Sequence, residues 1–268
     1  MSLVLHATLA LATSALLFGA AWAQPLTSLP IDEVLAGPID LHDVTATSAT
    51  LEVTTSIDLA CVVVFGTDAS FGDLALDMDM GGGAHRDHLV FLRGLTPDTD
   101  YVYRLQGSDA AGNFYASEVL HFRTAAAEAA SDLGTNLATL EAGAEIVEAS
   151  SEFGDAFAAQ HAIDGDARSE WSSRGDGDGA FITVRLAASV RVTGFGFWTR
   201  TMGSSAQIER FEVENEHGDV FGPFDVADAA GPHVFEASGS GRDFTFRVLA
   251  SSGGNTGAIE VAVYGEPD

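Results

Sequence analysis

The chain has 268 residues, room for two domains of ordinary size, and 46% of them are hydrophobic, enough for real cores. Asp and Glu total 39 against 12 basic residues, all of them arginine, and the resulting net charge of -27 repels phosphate backbones and anionic lipid headgroups. Nucleic acid and anionic membranes are thereby argued against as partners, while hard cations, neutral ligands and a saline medium suit the charge.

Met1 to Ala23 reads as an export signal: Leu9 to Ala20 is largely apolar but too short to span a bilayer, and Ala21-Trp22-Ala23 resembles a cleavage site. The segment departs from the usual pattern in having no Lys or Arg ahead of the apolar run, only His6. No Cys follows the run and no second long apolar stretch occurs, so the mature chain is expected to be secreted and free of the membrane. Pro25 to Leu35 reads as an irregular lead-in.

From Gly37 the pattern is strand after strand. Ser48 to Thr54 alternates polar and apolar, the mark of a half-buried strand, and Leu59 to Phe65 is a more continuous apolar strand closed by Gly66. Cys61, the single cysteine, lies in that second run and reads as a small buried hydrophobe with no disulfide partner. His88 to Leu92, Tyr101 to Leu105 and Ser117 to Arg123 complete the set. His85 and His88, with Asp77 and Asp79 nearby in sequence, raise the question of a metal. Strand alternation places residues three apart on opposite faces, so the two imidazoles are expected to diverge and no metal is expected there.

Gly94-Leu95-Thr96-Pro97-Asp98-Thr99-Asp100-Tyr101-Val102-Tyr103-Arg104 is the most diagnostic piece of this half. It resembles the corner of fibronectin type III domains, closest to the variant at the front of purple acid phosphatases, over about residues 38 to 124. Pro97 and Thr99 shape a tight turn, and Tyr101 returns to the core with its hydroxyl available to backbone near the corner. The resemblance implies a spacer or docking domain over residues 37–124, without catalytic residues. Residues 125–134, alanine-rich and then Ser131-Asp132-Leu133-Gly134, read as a linker.

The second domain is expected over residues 135–266. Ala180 to Leu186, Val190 to Trp198, Ile208 to Val213, Phe244 to Leu249 and Ile259 to Tyr264 read as strands, with one helical turn near Ala156 to His161. Its strongest signal is Ala162-Ile163-Asp164-Gly165-Asp166-Ala167-Arg168-Ser169-Glu170-Trp171. With Asn136-Leu137-Ala138 before it and Glu260 in the closing strand after it, this loop resembles the discoidin, or F5/8 type C, domains and family-32 carbohydrate-binding modules. The resemblance implies a galactose-binding-like β jelly roll holding a structural calcium ion. Its ligands would be the Asp164 carboxylate, the Asp166 carbonyl, Ser169 through hydroxyl and carbonyl, and the Glu260 carboxylate, with a carbonyl at or near Gln160 or His161. Calcium takes six to eight hard oxygens, which such a set can share. An EF-hand fails, because Arg168 stands where a third oxygen ligand belongs. Asp176 and Asp178 could take a second cation but read better as a solvated acidic turn.

Trp171 is expected to pack beneath the metal loop. Sugar recognition needs an aromatic face and a few convergent polar groups. The resemblance places these on variable loops at one end of the jelly roll, and Phe153, Arg174, Arg200, Gln207 and Asn255 are the candidates. Arg200 reads equally as a pin for the loop that follows it, and Asn255 as part of a plain turn. The chain carries no Walker loop, no CxxC, no HExxH and no nucleophile elbow. The expected protein is all-β, a fibronectin type III-like sandwich followed by the jelly roll. It is a secreted, non-catalytic binder of polysaccharide or cell-surface glycan, or else an accessory part of a secreted hydrolase or an envelope or matrix protein that binds another protein.

Overall fold

The computed structural model describes residues 28–78, 83–126, 133–203 and 205–267. The expected signal segment, Asp79 and most of the expected linker lie outside the described residues. No helix among them is long and apolar enough to cross a membrane.

The first domain contains β1 (Leu29–Pro30), β2 (Asp40–His42), β3 (Ser48–Gly66), β4 (Asp73–Leu76), β5 (His85–Arg93), β6 (Asp100–Ser108), β7 (Phe114–Ala116) and β8 (Leu120–Arg123). The two strands expected over Ser48 to Phe65 are one continuous strand. Its first half, Ser48 to Thr54, pairs with β5 and β2, and its second half, Ala60 to Gly66, pairs with β6 and β4. The register breaks between Thr54 and Leu59, where β3 carries more residues than β5 does opposite them. Such a surplus bends a strand and increases its twist, so that one strand can serve two layers. Between the layers lie Leu51, Leu59, Cys61, Val63, Val90, Leu92 and Leu105, all fully buried.

From Leu29 onward the lead-in is not irregular. β1 pairs in parallel with β7, and the single helical turn that follows it buries Ile31 completely. The first sheet and its core therefore take in residues ahead of Gly37. The corner forms as expected: the Thr96 backbone N–H donates to the Tyr101 hydroxyl at 2.9 Å, and the Thr99 hydroxyl donates to the Pro97 carbonyl at 2.8 Å. Replacing Tyr101 with Phe keeps the ring stacked on Phe122 but orphans the Thr96 N–H. We expect a loss of about 1 kcal/mol, read from the midpoint of urea unfolding.

The second domain contains β9 (Thr135–Asn136), β10 (Glu145–Ala149), β11 (Trp171–Ser172), β12 (Phe181–Thr199), β13 (Ile208–Asn215), β14 (Val220–Asp225), β15 (His233–Ser251) and β16 (Gly257–Pro267). β12 and β15 run antiparallel for most of their length, and register shifts near Arg185–Val190 and Val192–Gly194 bend them. The upper part of β12 also pairs with β16, while β13 takes the far edge of β15. Phe195, Phe197, Phe211, Phe244 and Phe246 fill the core with ring–ring contacts, Phe197 and Phe211 at 4.6 Å between centroids. The helical turn expected near Ala156 to His161 is present as two short turns, Asp155–Phe157 and Ala159–Ile163, the second ending on Asp164.

The two domains touch. The Ser48 hydroxyl donates to the Ala230 carbonyl at 2.8 Å, Arg93 faces Glu170 at 3.7 Å, and Arg168 faces Asp73 at 3.8 Å. A cleft of about 730 Å³ opens along this seam, lined by Thr47 and Leu95 from one side and by Asn136, Arg168, Trp198 and Glu260 from the other.

Candidate functional site: an acidic loop and a stitched loop end

The acidic loop folds around Gly165, whose φ of +77° lies in the left-handed region that glycine enters at no steric cost. The turn lets the Asp166 N–H donate to Asp164 Oδ1 at 2.9 Å, while Ser169 Oγ reaches both Asp164 Oδ2 at 2.7 Å and the Asp166 carbonyl at 2.9 Å. The Asp166 carboxylate turns away and binds Arg168 at 2.9 Å, and that hydrogen bond holds its pKa below the usual carboxylate range. Asp166 thus presents its carbonyl to the loop interior.

Glu260 arrives from β16, opposite Trp198 in the register with β12, and accepts a hydrogen bond from the Gly165 backbone. Its Oε1 is buried with no hydrogen-bond partner. Burial first, and then the negative charge of Asp164, push its pKa up to about 8. A buried carboxylate beside other acidic groups, with an oxygen left over, is a poor arrangement on its own. It becomes a good one around a divalent cation, which supplies the missing charge and takes the spare oxygens. His161 Nδ1, close to this loop in sequence, is likewise buried with no hydrogen-bond partner. Trp171 is buried beneath the loop, its indole N–H donating to the Ser151 carbonyl at 2.9 Å.

The loops that carry Phe153, Arg174, Arg200, Gln207 and Asn255 are hydrogen-bonded to one another at one end of the domain. The Arg174 N–H donates to Ser151 Oγ, Phe153 N–H to the Ser172 carbonyl, Ala206 N–H to the Gly253 carbonyl, and Ser172 Oγ to the Asn255 carbonyl. Phe153 is 50% exposed and stands edge-on to Phe157. Arg174 is exposed, one guanidinium nitrogen donating to the Glu152 carbonyl at 3.1 Å. Gln207 donates to Thr201 Oγ1 and the Gly203 carbonyl, bracing its own loop. Arg200 is only 4% exposed; it donates to Glu170 through Nε and Nη2 and to the Asn255 carbonyl through Nη1. Of the two readings of Arg200, its geometry is that of the pin. Asp176 and Asp178 each accept a serine hydroxyl at 2.6 Å, from Ser151 and Ser251, and so serve as loop ties.

Two arrangements lay beyond the sequence reading. Glu170, the unassigned residue between Ser169 and Trp171, sits between Arg200 and Arg93 and links the two domains. Arg93 also packs over the Phe91 and Trp198 rings. The second arrangement overturns an expectation: His85 and His88 do not diverge. Their rings stand 4.7 Å apart and both meet Asp77. The burial pattern of β5 explains it, because Arg86 and Asp87 are both exposed in succession and alternation lapses opposite the register break in β3.

Among solved structures similar to the chain is CpGH89CBM32-5 from Clostridium perfringens, in complex with GalNAc-β-1,3-galactose, at 19% identity and a TM-score of 0.42, with 48% of this chain and 99% of that chain covered. The family 32 module of C. perfringens NanJ, in complex with galactose, gives 19% and 0.42, with 48% and 98% covered. Chitosan-binding module 1 of a chitosanase/glucanase from Paenibacillus sp. IK-5 gives 21% and 0.38, with 49% and 99% covered. No curated protein matches the chain significantly. The segment that carries the acidic loop, the stitched loops and Glu260, residues 146–260, matches the F5/8 type C domain.

Proposed function

We propose that the chain is a secreted, non-catalytic carbohydrate-binding protein whose second domain docks onto polysaccharide or cell-surface glycan. The observation that carries this reading is the match of residues 146–260 to the F5/8 type C domain. The exposed Phe153 ring beside Arg174 supplies an apolar face and a donor on the stitched loop end, the combination that sugar stacking requires. Gln207 and Asn255 stand on neighbouring loops of the same end. A calcium ion, held by the Asp164 carboxylate, the Asp166 carbonyl, Ser169 and Glu260, ties the early loop to the closing strand and steadies the domain in place of a disulfide. The residues fit such an ion, since Glu260 brings a partnerless buried oxygen to the acidic loop. The first domain is a fibronectin type III-like spacer; the reading is supported by the Tyr101 corner and by one layer of β2, β3 and β5 against another of β4, β3, β6 and β8.

A glycan array probed with the full chain, with and without chelator, tests the reading. We expect binding to a restricted set of glycans, competed by free sugar, and Phe153→Ala and Arg174→Ala should each weaken it about tenfold, as loss of one stacking or hydrogen-bonding contact does. Unchanged affinity in both variants would remove the loop end as the site. A silent array across neutral and acidic glycans would turn the assignment toward a protein partner.

A further inference from the structure

We propose that the first domain carries a transition-metal site of its own, formed by Asp77, His85 and His88 and suited to zinc or another borderline divalent ion. One oxygen and two imidazole nitrogens, one ligand atom from each residue, all lie within 4.8 Å of one another. His85 Nε2 stands 3.2 Å from Asp77 Oδ2, and His88 Nδ1 stands 2.6 Å from the same oxygen. The Asp77 and His88 side chains have no accessible surface, while His85 is 19% exposed and leaves an approach for the ion.

Tautomers decide the case. His85 Nδ1 lies 2.8 Å from the Gly83 carbonyl, which can only accept, so Nδ1 carries the proton. In the neutral ring, Nε2 then turns a lone pair on a carboxylate oxygen. Two acceptors at that distance need a positive charge between them, a proton or a metal ion. On the other ring, His88 Nε2 lies 3.2 Å from Thr55 Oγ1, and that hydroxyl already donates to the Ile57 carbonyl at 2.7 Å. The Thr55 oxygen can therefore accept a hydrogen bond from Nε2–H, which leaves the Nδ1 lone pair to ligate. Both outer nitrogens are held by oxygen acceptors and both inner nitrogens aim at one carboxylate, the outer-shell support that orients metal-binding histidines. Two imidazoles and a carboxylate suit zinc, which takes such ligands at about 2.0–2.2 Å. Ligand atoms of a tetrahedral ion then stand about 3.3 Å apart. The His85–Asp77 pair already has that spacing, and the His88–Asp77 pair opens by a fraction of an ångström as the ion replaces its shared proton. Cys61, 3.5 Å from His88 Nε2, stays a neutral thiol, because burial pushes its pKa up to about 12.

The test uses the full chain without a histidine tag, stripped of metal and held in excess calcium so that the acidic loop is not competing. Calorimetric titration with zinc should give one site per chain. His85→Gln, at the most accessible of the three positions, should weaken that site by at least about a hundredfold, the upper end of what losing even an outer-shell partner does. His217→Gln, at an exposed histidine of the second domain, should leave it unchanged. Nitrogen NMR of the wild-type rings, which needs no variant, should show zinc shifting His85 Nε2 and His88 Nδ1. Absence of a one-to-one site, wild-type affinity in His85→Gln, or shifts confined to other histidines would each overturn the proposal.

Discussion

Calcium added to the chelator-stripped chain at pH 8 should raise the unfolding temperature of the second domain by about 10 °C. At a thousandfold excess over its dissociation constant a ligand contributes about 4 kcal/mol, and a domain of this size gains about 2–4 °C per kcal/mol. The pH dependence follows from Glu260. Without metal its folded pKa is raised from 4.5 to about 8, by burial and by the Asp164 charge. Between those values the folded chain holds a proton that the unfolded chain has released, so stripped stability is full below the lower value and falls as pH rises toward the upper one. Calcium favours the ionised form, so the gap between calcium and chelator should widen from pH 5 to pH 8. Glu260→Gln separates the two roles of the residue. At pH 8 the stripped variant should be at least as stable as the stripped wild type, because the uncompensated charge is gone, and it should no longer respond to calcium. A calcium shift that survives in Glu260→Gln, or none in the wild type, would remove the ion from this loop and leave the F5/8 type C match standing.

The acidic loop was legible because its chemistry is local. Asp164, Gly165, Asp166 and Ser169 fall within one turn, and only Glu260 had to be brought from afar, which β16 does through pairing with β12. The strand centres were legible for the same reason, since alternation is a short-range signal. What failed depends on partners distant in sequence. Nothing near Ile31 says that β7 waits to pair with the residues before it. Residues three apart on a regular strand do face opposite ways, and His85 and His88 meet only because β3, some thirty positions earlier in the chain, carries a surplus between Thr54 and Leu59. Arg200 and Arg174 look alike as arginines on one set of loops. Burial against Glu170 separates them, and burial is a property of the fold.

Glu170→Ala should cost about 3 kcal/mol in urea unfolding of the full chain and loosen the joint between the domains. The carboxylate accepts from Arg200 at 2.9 Å and faces Arg93 at 3.7 Å, and all three side chains are largely buried. Desolvation lowers the Arg93 pKa to about 10; Glu170 opposes that fall and Arg200 adds to it. Removing the acid leaves two buried guanidinium groups facing each other with no counter-charge, and the penalty is that of the orphaned charges rather than the worth of the original pair. Arg93 would then be held only by its stacking on Phe91 and Trp198, a weaker attachment. Glu170→Gln keeps an oxygen for Arg200 and should recover part of the loss. Arg93→Met with Glu170 intact should spare the second domain and act on the seam alone, seen as a broader distribution of inter-domain distances in solution scattering. A cost below about 1 kcal/mol for Glu170→Ala would place the triad among solvent-screened surface pairs. The seam would then rest on the Ser48–Ala230 hydrogen bond and the Arg168–Asp73 contact, and the first domain would act as a loose tether rather than a fixed support for the loops proposed to bind glycan.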